Sequence, residues 1–298
     1  MIGSTKRRDV LRGLAVAAAG TTTLPAVVWG QVVPAPADHA GRQPEKAMSA
    51  KGAVVLVTGS NRGIGLGFVQ ALLERGALRV YATAREANSL RDVSALDPDR
   101  IKPLVLDVND PKQRQAAAEQ ARDVTWLINN AGVPGSRDEK SRILAAPDLD
   151  EARLVMQTNC WSPAELCRLF APIILKNGGG AITNVLSVGA WYCVPEVTTY
   201  SMSKAAAAMM TAGVRAELDR GPILVSGVYT AGVATRMSGN QGMDPVAHGR
   251  QVLEAAARGD TDILSGAGVE RLRDEVRADP KAVERARIER LHAAKAKA

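Results

Sequence analysis

Aromatic side chains are scarce in this chain of 298 residues, with two Phe, four Tyr and four Trp. So few rings exclude a base-stacking platform for single-stranded nucleic acid. The heavy use of Ala and Val suits closely packed α/β layers instead. Cysteine is rarer still. Cys160, Cys167 and Cys193 are odd in number and lack Cys-x-x-Cys spacing, which excludes a disulfide framework and a thiolate metal site. Cys160 and Cys167 read as small apolar helix residues. His39, His248 and His292 lie far apart without ligand spacing, so no metal is expected. Charge of one sign is not strongly in excess. The net charge is +7, and the first 37 residues supply three of those units, with Lys6, Arg7, Arg8 and Arg12 against Asp9. The remainder implies no nucleic-acid partner.

What is present describes a soluble globular protein. Hydrophobic residues make up 46% and charged residues 23%, enough to bury a sizeable core. No internal repeat and no second-domain boundary is visible. The N-terminal segment reads as an address. Lys6-Arg7-Arg8-Asp9-Val10-Leu11-Arg12 resembles the twin-arginine export motif, with Val10 where Phe is commoner. The apolar stretch 14–28 is broken by Gly20, the threonine run 21–23 and Pro25, and is too short for a stable membrane span. Ala35-Pro36-Ala37 offers a small-x-small cleavage site before Asp38. The expected organisation is a signal peptide over 1–37, a linker over 38–50 and one domain over 51–298. The twin-arginine machinery carries folded proteins, so a nucleotide loaded in the cytoplasm could travel with this one to the periplasm or beyond. The competing reading starts translation at Met48 and leaves the protein cytoplasmic.

The domain opens on a continuous apolar run, Ala53-Val-Val-Leu-Val, of the kind that forms a strand buried on both faces. Gly59-Ser60-Asn61-Arg62-Gly63-Ile64-Gly65 follows, and then a helical pattern over 66–75. Strand, glycine turn and helix in that order are what a dinucleotide site needs. Gly59 permits the turn, Gly63 the approach of a pyrophosphate to the backbone, and Gly65 close packing of helix on strand. About 20 residues beyond the glycines, an NAD-selective site places an acid for the ribose 2′-hydroxyl. Here the position holds Ala84 with Arg85 beside it, and Arg62 lies in the glycine loop. Two guanidiniums without a carboxylate favour a 2′-phosphate, so NADP(H) is expected over NAD(H).

A second stretch carries acid–base chemistry. In Tyr200-Ser-Met-Ser-Lys204 the phenol and the ammonium are four residues apart in a run that reads as helix over 198–220. They therefore share one face. A lysine beside a phenol is expected to lower its pKa toward neutrality.

Thr58-Gly-x-x-x-Gly-x-Gly65 together with Tyr-x-x-x-Lys resembles the short-chain dehydrogenase/reductase family. The resemblance covers about residues 51–258. It implies a single Rossmann-type, doubly wound α/β domain: a parallel sheet of about seven strands with helices on both faces. It implies that Asn61 and Ile64 join the glycines in holding the cofactor, and that Asp107 and the Val108 backbone contact adenine after the third strand. Asn129-Asn130-Ala131-Gly132 matches the family's Asn-Asn-Ala-Gly, which stabilises the central sheet and borders the cofactor. Asn159, within a helix over 150–176, would hold a water that joins the lysine to solvent. Ser187, leaving the fifth strand, would hydrogen-bond the substrate carbonyl with Tyr200, while Lys204 would bind the nicotinamide ribose. After the sixth strand the family has Pro-Gly-x-Val-x-Thr. Here Thr230-Ala231-Gly232-Val233-Ala234-Thr235 keeps the glycine and threonine but puts Ala231 where proline is usual and Val233 one place early.

Trp191, Tyr192, Cys193 and Val194 lie between serine and tyrosine and are expected to wall the pocket. Their apolar character points to a small uncharged carbonyl or alcohol. Residues 236–245 read as a mobile loop over substrate. A charged helix from about residue 270 reads as solvated. The expected activity is NADP(H)-dependent hydride transfer between the nicotinamide and a carbonyl/alcohol pair. The family implies a homodimer or homotetramer. The competing class is an exported nucleotide-binding sensor, to which the altered 231 segment gives room.

Overall fold

The computed structural model describes residues 46–295. The export motif, the cleavage site and the first part of the linker lie outside them. The apolar run after Ala53 forms β1 (Val54–Val57), buried at all four positions. The chain then passes through α1 (Gly63–Glu74), β2 (Arg79–Ala84), α2 (Arg91–Ala95), β3 (Ile101–Val105), α3 (Pro111–Gln120) and β4 (Trp126–Asn129). It continues with α4 (Asp150–Met156), a π-helical turn (Gln157–Trp161), α5 (Ser162–Lys176), β5 (Gly180–Val185), α6 (Thr198–Glu217) and β6 (Ile223–Thr230). It closes with α7 (Pro245–Ala257), β7 (Asp262–Ser265), α8 (Val269–Ala278) and α9 (Pro280–Lys295).

All seven strands are parallel, in the order β3-β2-β1-β4-β5-β6-β7. The direction of winding reverses between β1 and β4. In an open α/β sheet the carboxyl ends of strands at such a reversal border a crevice, and the crevice is where ligands sit. Each face of the sheet is covered. Phe68, Leu72 and Val252, from α1 and α7, pack on Val55 and Val57. Leu166, Phe170 and Ile174, from α5, pack on Leu56 and Ile182. Four of the scarce aromatics, Phe68, Trp126, Phe170 and Trp191, are among the largest fully buried side chains. The Trp126 indole donates to the Thr183 hydroxyl at 2.9 Å, which satisfies its N–H in the core.

Three features differ from the sequence reading. The ordered domain begins upstream of residue 51. Met48 is buried, its N–H donates to the Ala256 carbonyl at 2.9 Å, and Lys46 reaches the Leu218 carbonyl at 2.9 Å. The seventh strand, which the pattern did not locate, is a four-residue edge strand. The charged C-terminal helix is two helices. Asp279, at φ −151° and ψ 90°, breaks it because a residue before proline is driven out of the helical region. Nor is this tail only solvated. Val269 and Val276 are buried with Trp191 and Tyr229, and the Arg287 guanidinium stands 4.7 Å from the centre of the Tyr192 ring.

Candidate active site

The glycine loop, Asp107, Asn130 to Gly132, Ser187 and the segment from Ala231 follow the carboxyl ends of β1, β3, β4, β5 and β6. Tyr200 and Lys204 lie in the first two turns of α6, beside Ser187 from the end of β5. The Ser187 hydroxyl accepts the Gly189 N–H at 3.1 Å and hydrogen-bonds the Tyr200 side chain. The Lys204 ammonium donates to the Val185 carbonyl at 2.8 Å and lies 5.7 Å from the centre of the Tyr200 ring. Burial lowers Lys204 to about 8. Burial also raises Tyr200 above the ordinary phenol value, while the Ser187 bond and the charge of Arg137 pull it down. This corrects the expectation that Lys204 brings the phenol toward neutrality. Desolvation outweighs the attractions, and the ammonium is committed to a backbone carbonyl.

Asn159 sits in the π turn, where the helical hydrogen-bond ladder shifts register. Its amide is held at both ends. The side-chain oxygen accepts the Val133 N–H at 2.9 Å, and the nitrogen donates to the Val133 carbonyl and the Ser203 hydroxyl, each at 2.9 Å. Ser203 in turn donates to the Tyr200 carbonyl at 2.7 Å. Asn159 thus fastens the loop after β4 to the helix bearing Tyr200. Gly132 belongs to the same joint: a side chain there would meet the Asn159 oxygen at 3.0 Å and the Lys204 ammonium at 3.7 Å.

The residues at the end of β1 fit a dinucleotide. A side chain at Gly65 would collide with the Gly59 carbonyl at 2.2 Å, so only glycine lets α1 start this close to the turn. No acid occupies the first turn of α1, and no side chain caps it. Its leading N–H groups are available to phosphate. Asn130 and Ala131 act on this loop from behind. Both backbone N–H groups donate to the Thr58 hydroxyl, at 2.9 and 3.0 Å, and the Asn130 amide donates to the carbonyls of Thr58 and Gly59. Arg62 and Arg85 are exposed at the ends of the glycine loop and β2. The Asp107 carboxylate accepts the Asn109 N–H at 2.9 Å, and Val108 is buried beside it.

The segment after β6 faces the glycine loop across the crevice. A side chain at Gly63 would touch the Thr235 methyl at 3.4 Å. Ala231 explains its own departure from proline: its N–H donates to the Ser265 carbonyl at 3.3 Å, which a proline could not do. Val233 is buried and pairs with Met243. The stretch expected as a mobile loop is internally bonded, with the Ser238 hydroxyl on the carbonyls of Val233, Thr235 and Gln241. Among the expected pocket residues Trp191 is a correction. It is buried and stacked on Tyr229 at 4.8 Å, so it supports the wall from behind. Tyr192 is half-buried under Arg287, Cys193 is exposed, and the Val194 N–H donates to the Ser201 hydroxyl at 3.0 Å.

The sequence model described as short chain dehydrogenase matches residues 53–245. The chain belongs to the short-chain dehydrogenase family. Similar curated proteins include the ketoacyl reductase HetN of Nostoc sp., 31% identical over 173 residues, which are 56% of this chain and 58% of that protein. The very-long-chain 3-oxoacyl-CoA reductase of Anas platyrhynchos is 30% identical over 63% of this chain and 62% of its own length. The chain thus spans about three fifths of both. The 3-oxoacyl-[acyl-carrier-protein] reductase FabG of Haemophilus influenzae is 32% identical over 63% of this chain and 77% of that protein. Among solved structures, a short-chain dehydrogenase from Burkholderia cenocepacia in complex with NADP has a TM-score of 0.70 and 36% identity, covering 80% of this chain and 98% of that one.

Sequence reasoning missed several short-chain dehydrogenase residues that build the site. Ser203 and Val133 bracket Asn159, Thr58 ties β1 to β4, and Arg137 acts on Tyr200. Thr58 lay inside the recognised motif. The others have no pattern of their own, because their partners are distant in sequence.

Proposed function

We propose that this chain is an NADP(H)-dependent oxidoreductase acting on a carbonyl/alcohol pair. The observation that carries the reading is the convergence of Tyr200, Ser187 and Lys204 at the end of β5. When bound, the nicotinamide supplies or accepts a hydride at the reacting carbon. In reduction, the Tyr200 hydroxyl gives its proton to the carbonyl oxygen, and the Ser187 hydroxyl hydrogen-bonds that oxygen and orients it. Lys204 orients the cofactor ribose. With its value near 8, it also exchanges a proton with solvent close to neutral pH. A phenol raised by burial stays protonated at neutral pH, the state needed to donate. Reduction is therefore the direction favoured near neutrality, and alcohol oxidation, which needs the phenolate, should rise with pH. The relatives named as reductases of oxo groups support this direction.

Arg62 and Arg85 support NADP(H) over NAD(H), as does the NADP named in the Burkholderia complex. The test is carbonyl reduction with both cofactors by the purified wild type and by Tyr200→Phe. Removal of the proton donor should lower kcat by about 10²–10⁴-fold with NADPH binding retained. Full activity in that variant overturns the mechanism, and tighter NADH than NADPH overturns the cofactor assignment. Bound NADPH that no carbonyl oxidises would mark a nucleotide-binding sensor instead. The leader motif supports export by the twin-arginine route. Asp38 as the N-terminus of envelope protein would support it, and Met48-initiated protein confined to the cytosol would overturn it.

A further inference from the structure

Arg137 is a cation that the reaction as read has not used. It lies in the loop between β4 and α4, with a left-handed backbone at φ 65°, a strained conformation for a residue with a side chain. The loop is built to hold it there. The fully buried Ser141 hydroxyl accepts the Arg137 N–H at 3.0 Å and donates to the Glu151 carboxylate at 2.6 Å. The same carboxylate accepts the Ser136 N–H at 3.2 Å. Gly135 packs so closely that any side chain would meet the Ser141 hydroxyl at 2.6 Å and the Thr199 hydroxyl, next to Tyr200, at 3.5 Å.

From this anchor the Arg137 guanidinium reaches across the crevice and donates to the Met237 carbonyl at 2.7 Å, two residues beyond Thr235. It therefore stands at the mouth between the segment opposite the glycine loop and Tyr200. Its charge is felt at the phenol. None of the ion pairs among the described residues includes Arg137. Of the loop carboxylates, Asp138 is engaged by Ser136 and Lys140, and Glu151 by Ser136 and Ser141. Arg137 as a whole residue is exposed.

We propose that Arg137 selects substrates carrying a carboxylate close to the reacting carbonyl, pairing with the carboxylate while Tyr200 and Ser187 take the carbonyl oxygen. A fork-shaped donor with N–H groups to spare is suited to a planar carboxylate. The proposal rests on the reading of Tyr200 as proton donor, and it replaces the uncharged substrate expected from residues 191–194 alone.

The experiment compares short 2- and 3-oxo acids with their methyl esters in NADPH-consumption assays of the purified full chain. The wild type should favour the acids by at least about tenfold in kcat/KM, mainly through KM. Arg137→Gln should bring the acid-to-ester ratio of kcat/KM to about one, whatever its effect on both together, and Arg137→Lys should restore part of the ratio. Equal use of acids and esters by the wild type overturns the proposal. So does an Arg137→Gln variant that loses acids and esters by the same factor, which would make Arg137 only a tie between loops. A wild type that binds NADPH but reduces neither class overturns the underlying reading of Tyr200 instead.

Discussion

Lys204 illustrates how a position proposed for catalysis opposes stability. Lys204 is 95% buried as a residue, with the Val185 carbonyl as the acceptor of its ammonium. Its folded value near 8 lies below the unfolded 10.5. The unfolded chain therefore binds more protons between these limits. The penalty is absent above about 10.5, grows as pH falls, and is fully present below about 8. Lys204→Met should stabilise the cofactor-free protein by about 2–3 kcal/mol at pH 7 and by little at pH 10.5, while abolishing turnover. Urea unfolding at the two pH values checks this; destabilisation at pH 7 would refute it. The pairing of Tyr200 with Lys204 was legible because four residues on a helix is a local relation. The direction of the Tyr200 shift was not. It depends on how much protein surrounds the phenol, and on Arg137, which lies 63 positions earlier.

At the scale of elements, local pattern placed six strands and most helices to within a few residues, and it failed where an element is defined by its neighbour. β7 has only four residues and is fixed by pairing with β6 at Gly227 to Thr230. The same pairing gives Ala231 its role, since its N–H extends the contact to Ser265 beyond the strand. Ala231→Pro should therefore not restore an ideal family segment. It should lower stability by about 1 kcal/mol through loss of that bond, whereas Ala231→Ser should stay within about 0.5 kcal/mol. The comparison is made by denaturant midpoint. The π turn at Asn159 follows the same logic. Nothing in Gln157-Thr158-Asn159-Cys160-Trp161 announces it, and its role appears only in the bonds to Val133 and Ser203.

At the scale of the molecule, one apolar surface is left uncovered among the described residues. Leu154 and Trp161, and likewise Met202 and Met209, are seven residues apart on α4 with its π turn and on α6, and all four are exposed. On the regular α6 that spacing sets Met202 and Met209 on one stripe. A groove of about 330 Å³ is lined by Leu149, Met156 and Trp161. We propose this face as the seat of a homodimer, in keeping with the oligomers implied by the family resemblance. Trp161→Glu should shift the protein from dimer to monomer in sedimentation at micromolar concentration. Unchanged mass would place the contact elsewhere.

The sequence by itself carried the glycine loop and the Tyr200–Lys204 pair, each through short-range spacing, and with them the resemblance to the family, which in turn implied the seven-stranded parallel sheet and the places of Ser187 and Asn159. Tertiary structure alone decided which of these groups touch, how burial sets their proton affinities, why Ala231 suits its place, and that Arg137 reaches the site. These depend on contacts between residues tens to a hundred positions apart. Packing on the finished sheet brings such pairs together, and no local pattern records them.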